Sequence, residues 1–162
     1  LRLRLLRRLP RATVSPRCES RVLREPVIDS FSGKYRFLSN FWPCHVTRNG
    51  FTYPSVEHAY QAAKTTDPVE HAYIMTAYSA GQAKSYGRQI RNLRSDWNDV
   101  RIGIMQELLQ QKFSDLQLRT KLENTASEVL VEGNYWGDTF WGMCRGVGQN
   151  HLGKLLMEIR GK

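Results

Sequence analysis

Between residues 55 and 150 the chain carries six helix-starting signals at short intervals, and that cadence fixes most of what it can become. Ser55, Ser79, Ser95, Ser114 and Asn150 have side-chain oxygens able to accept from the free N–H groups of a first helical turn, and Pro68 suits a first helical position. Helices are expected to about Lys64 from Ser55, to about Tyr78 from Pro68, to Gly87 from Ser79, over Asp96–Phe113, to Leu122 from Ser114, and onward from Asn150. The longest carries Trp97, Val100, Ile104, Leu108 and Phe113 at near-helical spacing, and the last carries Leu152, Leu155, Leu156 and Ile159. Little room is left for sheet. Val46 to Tyr53 reads as a β-hairpin about Asn49-Gly50, and Val129 and Val131 alternate with Glu128, Leu130 and Glu132 as a short strand. Ile28 to Phe41 reads as short strand and loop, with Phe37, Phe41 and Trp42 expected in the core. The fold class is therefore mainly α (α+β): one compact domain of several helices with a small hairpin and strand part.

Charge separates the ends. The net charge is +9, but eight arginines and one acid, Glu19, lie in residues 1–24, so the rest of the chain carries only +2. The Arg-rich segment reads as an organellar transit peptide, as a basic arm for phosphates, or as an extension without function of its own. The folded domain is expected over residues 28–160. No apolar run reaches the roughly 18 residues of a membrane span, so no membrane partner is expected. Cys18, Cys44 and Cys144 are odd in number and lack metal-site spacing, and the neighbours Cys44-His45 do not make a tetrahedral site; a reducing cytoplasm without metal is expected.

Three places carry acids among aromatic rings. In Ser55-Val-Glu-His-Ala-Tyr-Gln, Glu57 falls in a first helical turn, where the helix dipole favours a carboxylate. Glu57, Tyr60, Gln61 and Lys64 share one helical face, which is either solvated or the wall of a polar pocket. Trp97 stands beside Asp96, and core packing is its other reading. Asp138 follows Tyr135-Trp136-Gly137, either as a turn acid or as a site acid. Ser39 and Asn40 are small polar residues in an aromatic stretch and need partners that a ligand could supply. Five glycines from Gly133 to Gly148 would leave N–H groups free, and Gly146-x-Gly148 ahead of the Asn150 helix suits an anion. Arg88, with Arg91 and Arg94, reads as a phosphate cluster or as solvated surface. Glu57-His-Ala-Tyr recurs as Glu70-His-Ala-Tyr, which is taken as chance.

Phe37-Leu-Ser-Asn-Phe41, Ser55-Val-Glu-His-Ala-Tyr-Gln-Ala-Ala-Lys64, Gly87-Arg88, Trp97, Tyr135-Trp-Gly-Asp138 and Gly148-x-Asn150-x-Leu152-Gly153, in that order, resemble the NADAR (NAD- and ADP-ribose-associated), or YbiA-like, N-glycosidase family. The resemblance covers about residues 28–160. It implies a YbiA-like fold, no cofactor, and hydrolysis of a bond between ribose C1′ and nitrogen, either in ribosylaminopyrimidine phosphates of riboflavin synthesis or in ADP-ribosylated guanine of nucleic acid. It places Glu57, Trp97 and Asp138 at the family's functional positions. Ser39, Asn40, Tyr60, Gln61, Lys64, Arg88, Trp136 and Asn150 are the expected substrate-binding set, with Lys64 and Arg88 on phosphate. The stretch from Asp138 to Asn150 is longer and more aromatic than in the pyrimidine-cleaving type. The expected partner is a small ribosyl phosphate or ADP-ribosyl compound, with nucleic acid as carrier of the latter; oligomeric state is left open. Two competing readings are a domain that binds ADP-ribose without cleaving it, and a nucleic-acid protein acting through its basic arm.

Overall fold

The computed structural model describes residues 25–162, so the readings of the 1–24 segment lie outside the described residues. Among the described residues a long helix, α4 (Trp97–Lys112), runs through the centre. Against it pack α1 (Val56–Ala62), α6 (His151–Arg160) and a hairpin of β2 (Pro43–Arg48) and β3 (Phe51–Ser55). Leu108 and Leu109 of α4, Val56 and Ala59 of α1, Val46 of β2, and Leu152 and Leu156 of α6 are all buried where these elements meet. Burying each such leucine contributes about 1.5–3 kcal/mol. Outside this centre, α2 (Pro68–Met75) and α3 (Ala80–Gly87) flank α1, and α5 (Leu116–Glu123) packs on α6.

The hairpin turns at Asn49-Gly50 as expected, both residues having positive φ (49° and 80°), which the right-handed twist of paired strands demands of a two-residue turn. The other strands are two residues long. Val27–Ile28 (β1) pairs in parallel with Val129–Leu130 (β4), and Gly133–Asn134 (β5) pairs in parallel with Met143–Cys144 (β6). The segment before β2 is a 3-10 helix, Gly33–Leu38, whose Phe37 and Leu38 enter the core.

Two helix starts move by one residue. Ser55 and Ser79 cap α1 and α3, their oxygens accepting from the backbone N–H of His58 and Gln82. Pro68 opens α2 as expected, behind an Asp67 cap, whereas α5 is capped by Asp115 rather than Ser114. A carboxylate at either cap accepts from the first free N–H groups and adds the dipole term. Ser95 does not cap α4; Asp96 occupies that position without a cap bond, because Arg94 takes its carboxylate at 2.6 and 2.9 Å. The second helix ends at Met75, short of Tyr78. Glu70, the echo of Glu57, accepts from the backbone N–H of Arg91 and Asn92 and so ties down the loop that leads into α4.

Candidate active site

Every residue of α1 is buried, including Glu57, His58 and Gln61, so the Glu57 face is no solvated stripe. It is one wall of a cavity of about 350 Å³. The opposite walls come from the start of α4 with Trp97 and Arg101, from Lys84 of α3, from Ser39-Asn40-Phe41, and from the loop after β4 with Glu132, Trp136, Asp138, Phe140 and Trp141. Nine of the eleven sequence-expected positions line this one cavity: Ser39, Asn40, Glu57, Tyr60, Gln61, Lys64, Trp97, Trp136 and Asp138.

Glu57 is only 6% exposed. Its backbone N–H donates to the Asn40 carbonyl (3.1 Å), which fixes the Ser39–Phe41 segment on the start of α1. Its Oε1 accepts from Gln61 Nε2 at 2.7 Å. Burial raises the Glu57 pKa above the ordinary carboxylate value; the Gln61 hydrogen bond, Lys84 and Lys64 pull it back, and Asp138 pushes it further up. Gln61 lies hard against Gly87, where a methyl group would overlap its amide, so the glycine at the end of α3 holds the amide on Glu57. Next door, burial lowers the pKa of His58. The neutral ring donates Nε2–H to the Ala77 carbonyl (3.3 Å) while Ser55 donates to Nδ1 (2.7 Å), so His58 supports α1 from behind.

Asp138 makes a turn and also faces the cavity. Its Oδ1 accepts from the N–H groups of Phe140 and Trp141 (3.0 and 2.9 Å), a turn that builds the loop. The residue also lines the cavity. Trp97 packs its ring on Tyr60 at 5.0 Å, and Tyr60 meets Trp141 edge-on at 5.4 Å while accepting from its indole N–H (3.1 Å). These rings form a rigid floor. At the mouth, Trp136 is 53% exposed and, with Phe41, flanks the Lys84 ammonium at 5.5 and 5.8 Å. Phe41 is thus rim, not core. Lys64 is half-buried, and burial lowers its pKa, with Lys84 and Arg88 lowering it further and Glu57 opposing.

Two expected residues fall elsewhere. Arg88 is exposed beyond the end of α3 and lines no part of the cavity; Lys84, one turn earlier, is the α3 cation that reaches it. Asn150 is buried behind the site. Its Nδ2 donates to the Leu130 carbonyl (2.9 Å) and its Oδ1 accepts from Glu132 N–H (3.0 Å), so it makes no cap bond to α6. The N–H groups at the start of α6 are not open to an anion either: Gln149, Asn150, His151 and Leu152 donate to the carbonyls of Thr139, Gly142, Phe140 and Trp141. Gly133, Gly142 and Gly148 serve close chain-on-chain packing, a side chain at each meeting a backbone carbonyl, whereas Gly137 and Gly146 face open space and take positive φ.

The sequence reading missed Lys84, Arg101 and Glu132. Arg101 lies four residues after Trp97 and so shares its helical face. Glu132 lies two residues after the buried Leu130, in step with it in the alternation expected over residues 128–132. Lys84 left no signal. Among the described residues no group of three or more His, Cys, Asp and Glu is arranged to hold a metal ion, and no helix is long and apolar enough to cross a membrane. The cavity therefore joins three carboxylates, three cations and a wall of aromatic rings, a setting for a charged sugar with a flat ring attached.

Comparison with known proteins gives that setting its class. The NADAR domain matches residues 29–162. N-glycosidase YbiA of Escherichia coli is 37% identical over 149 residues, covering 86% of this chain and 89% of that protein. The NMR structure of E. coli YbiA superposes with a TM-score of 0.75 at 35% identity, covering 86% of each chain. A riboflavin biosynthesis protein of Vibrio vulnificus is 37% identical over 127 residues, covering 76% of this chain but only 34% of that longer protein. The chain belongs to the NADAR family and, with its relatives, to the N-glycosidases.

Proposed function

We propose that the protein hydrolyses the N-glycosidic bond between a ribose 5-phosphate and the amino group of a pyrimidine intermediate of riboflavin synthesis. The observation that carries this is one small cavity that gathers three carboxylates (Glu57, Glu132, Asp138) and three cations (Lys64, Lys84, Arg101) among aromatic rings. A volume of about 350 Å³ lies at the small end of ligand cavities, which run about 300–1,000 Å³. It suits one sugar, one phosphate and one ring. An ADP-ribosyl guanine, the second substrate that the family resemblance implies, would leave a whole nucleotide outside. The riboflavin name of the Vibrio relative supports the same choice.

In this reading the transition state is an oxocarbenium-like ribosyl cation. Glu57, at the cavity wall and backed by Gln61, stabilises charge at C1′ and takes a proton from the attacking water. Two lysines oppose the effect of burial and help it stay ionised. Asp138, with one oxygen committed to the loop, assists with proton transfer or holds a ribose hydroxyl. Trp97 and Tyr60 pack against the base or ribose. Lys64, Lys84 and Arg101 take the phosphate by charge-assisted bonds; Lys84 and Arg101 replace Arg88 in that role.

The test is chromatography with mass detection after incubating wild type and Glu57→Gln with a ribosylaminopyrimidine 5-phosphate and, separately, with ADP-ribosylated guanine in DNA. Release of ribose 5-phosphate from the first by wild type alone is expected. Release of ADP-ribose from the second, with none from the first, would move the substrate to nucleic acid. Turnover of neither, with binding of free ADP-ribose, would make the domain a reader of ADP-ribose.

A further inference from the structure

Glu132 is a carboxylate of the cavity with a buried oxygen that no donor reaches and a single cation, Lys84, set against two neighbouring acids. Asn150 holds its backbone N–H from α6 and its carbonyl accepts from Met143 N–H at 2.9 Å, so the residue is pinned from both sides. Its Oε2 is shut off from solvent and has no hydrogen-bond donor. An ionised carboxylate there would leave a charged oxygen unpaired out of water, whereas a neutral carboxyl leaves only a weak acceptor. The facing groups agree. Glu57 from α1 and Asp138 from its own loop are both acids, and Lys84 from α3 is the cation set against them; Lys64, just after α1, and Arg101 of α4 also line the cavity, and Asn150, just ahead of α6, is uncharged. Glu57, by contrast, has a donor on its carboxylate and two lysines.

We infer that Glu132 is the general acid of the reaction, giving its carboxyl proton to the departing nitrogen. The inference rests on the proposed hydrolysis and assigns its proton donor. An amine leaves poorly as an anion, so the C1′–N bond must break with its electron pair going to a nitrogen that gains a proton. Glu132 supplies that proton. Water adds its oxygen to C1′ and gives a proton to Glu57, which returns it through solvent to Glu132, so the cycle consumes one water and restores both carboxyls. Asp138 is then left with the ribose hydroxyls. Burial, Asp138 and Glu57, opposed by Lys84, push the Glu132 pKa up to about 8, so the donor is in its protonated form at neutral pH.

The experiment compares two substrates and two variants over pH 5–10: the ribosylaminopyrimidine 5-phosphate, whose amine needs a proton, and 4-nitrophenyl riboside 5-phosphate, whose nitrophenolate leaves without one. Glu132→Gln should lower kcat on the amine substrate by about 10²–10⁴-fold. It should lower release of nitrophenolate by less than about tenfold, which also shows that the variant is folded. Wild type should lose activity on the amine substrate above about pH 8 and keep it on the nitrophenyl substrate. Glu132→Asp should retain part of the amine activity. Equal losses on both substrates in Glu132→Gln would overturn the general-acid role, as would full activity on the amine. Wild type that turns over neither substrate would overturn the substrate reading and this role with it; an active wild type beside an equally active Glu132→Gln would overturn this role alone.

Discussion

Glu57 tests the chemistry at single-residue resolution, because Gln keeps its shape and its neighbours but cannot accept a proton or balance a cation. Glu57→Gln should lower kcat on the order of 10²–10⁴-fold with a small change in KM, measured by ribose 5-phosphate release. A sharper test is Gly87→Ala, far smaller in chemical terms. A methyl there overlaps the Gln61 amide, which must swing off Glu57. Loss of that hydrogen bond removes what most lowers the Glu57 pKa, so the pKa rises. The working form is ionised, and the acid limb of the kcat profile should therefore move to higher pH, while the overlap with a buried side chain lowers stability by about 1–3 kcal/mol. An unmoved acid limb would mean that Gln61 does not tune Glu57. Sequence reading reached Glu57 and Asp138 because acids among aromatics stand out. It passed over Glu132, although the expected alternation puts that acid in step with Leu130; a charged residue beside turn-rich sequence looks like surface until burial is known.

At the scale of elements, legibility followed locality. Helix positions and the Asn49-Gly50 hairpin depend on neighbouring residues, and they were readable within a few positions. Where the reading failed, another group had intervened: nearby, Arg94 takes Asp96 away from capping α4, and from farther along the chain the Thr139–Trp141 and Gly142 carbonyls fill the start of α6. Asn150 shows the same thing most clearly. It stands where a cap is expected but adopts a left-handed conformation (φ 51°) and bridges Leu130 to Glu132 across the chain. Asn150→Ala should cost about 1–3 kcal/mol, the penalty for leaving a buried carbonyl unpaired, visible in urea unfolding. If its task is to hold the loop, kcat should fall while KM for the phosphorylated substrate stays near the wild-type value. A rise in KM alone would instead make it a substrate contact.

For the whole molecule the consequence of building this cavity appears in stability against pH. Burial shifts Glu132 and Lys112 far from their ordinary values, in opposite directions. Glu132 is raised to about 8 from 4.5, and Lys112 is lowered to about 7 from 10.5 by burial. Lys112, at 1% exposure, donates to the Ser39 carbonyl at 2.7 Å and so holds the segment that carries Asn40. Between pH 4.5 and 8 the folded chain keeps a proton on Glu132 that the unfolded chain releases, so this contribution to stability falls as pH rises. Between pH 7 and 10.5 the unfolded chain holds a proton on Lys112 that the folded chain has lost, so this contribution falls as pH drops. The two slopes oppose one another near pH 7–8, and removing either group should expose the other. Lys112→Met loses the bond to Ser39 at every pH, but it removes the penalty on a buried ammonium only at low pH. Its Tm relative to wild type should therefore be higher at pH 6 than at pH 10 by a few degrees, since a domain of this size moves about 2–4 °C per kcal/mol. Glu132→Gln should show the reverse, gaining more at pH 9 than at pH 5. Scanning calorimetry across pH 5–10 reads both; a Lys112→Met difference that stays constant with pH would mean that the amine keeps its proton inside the fold.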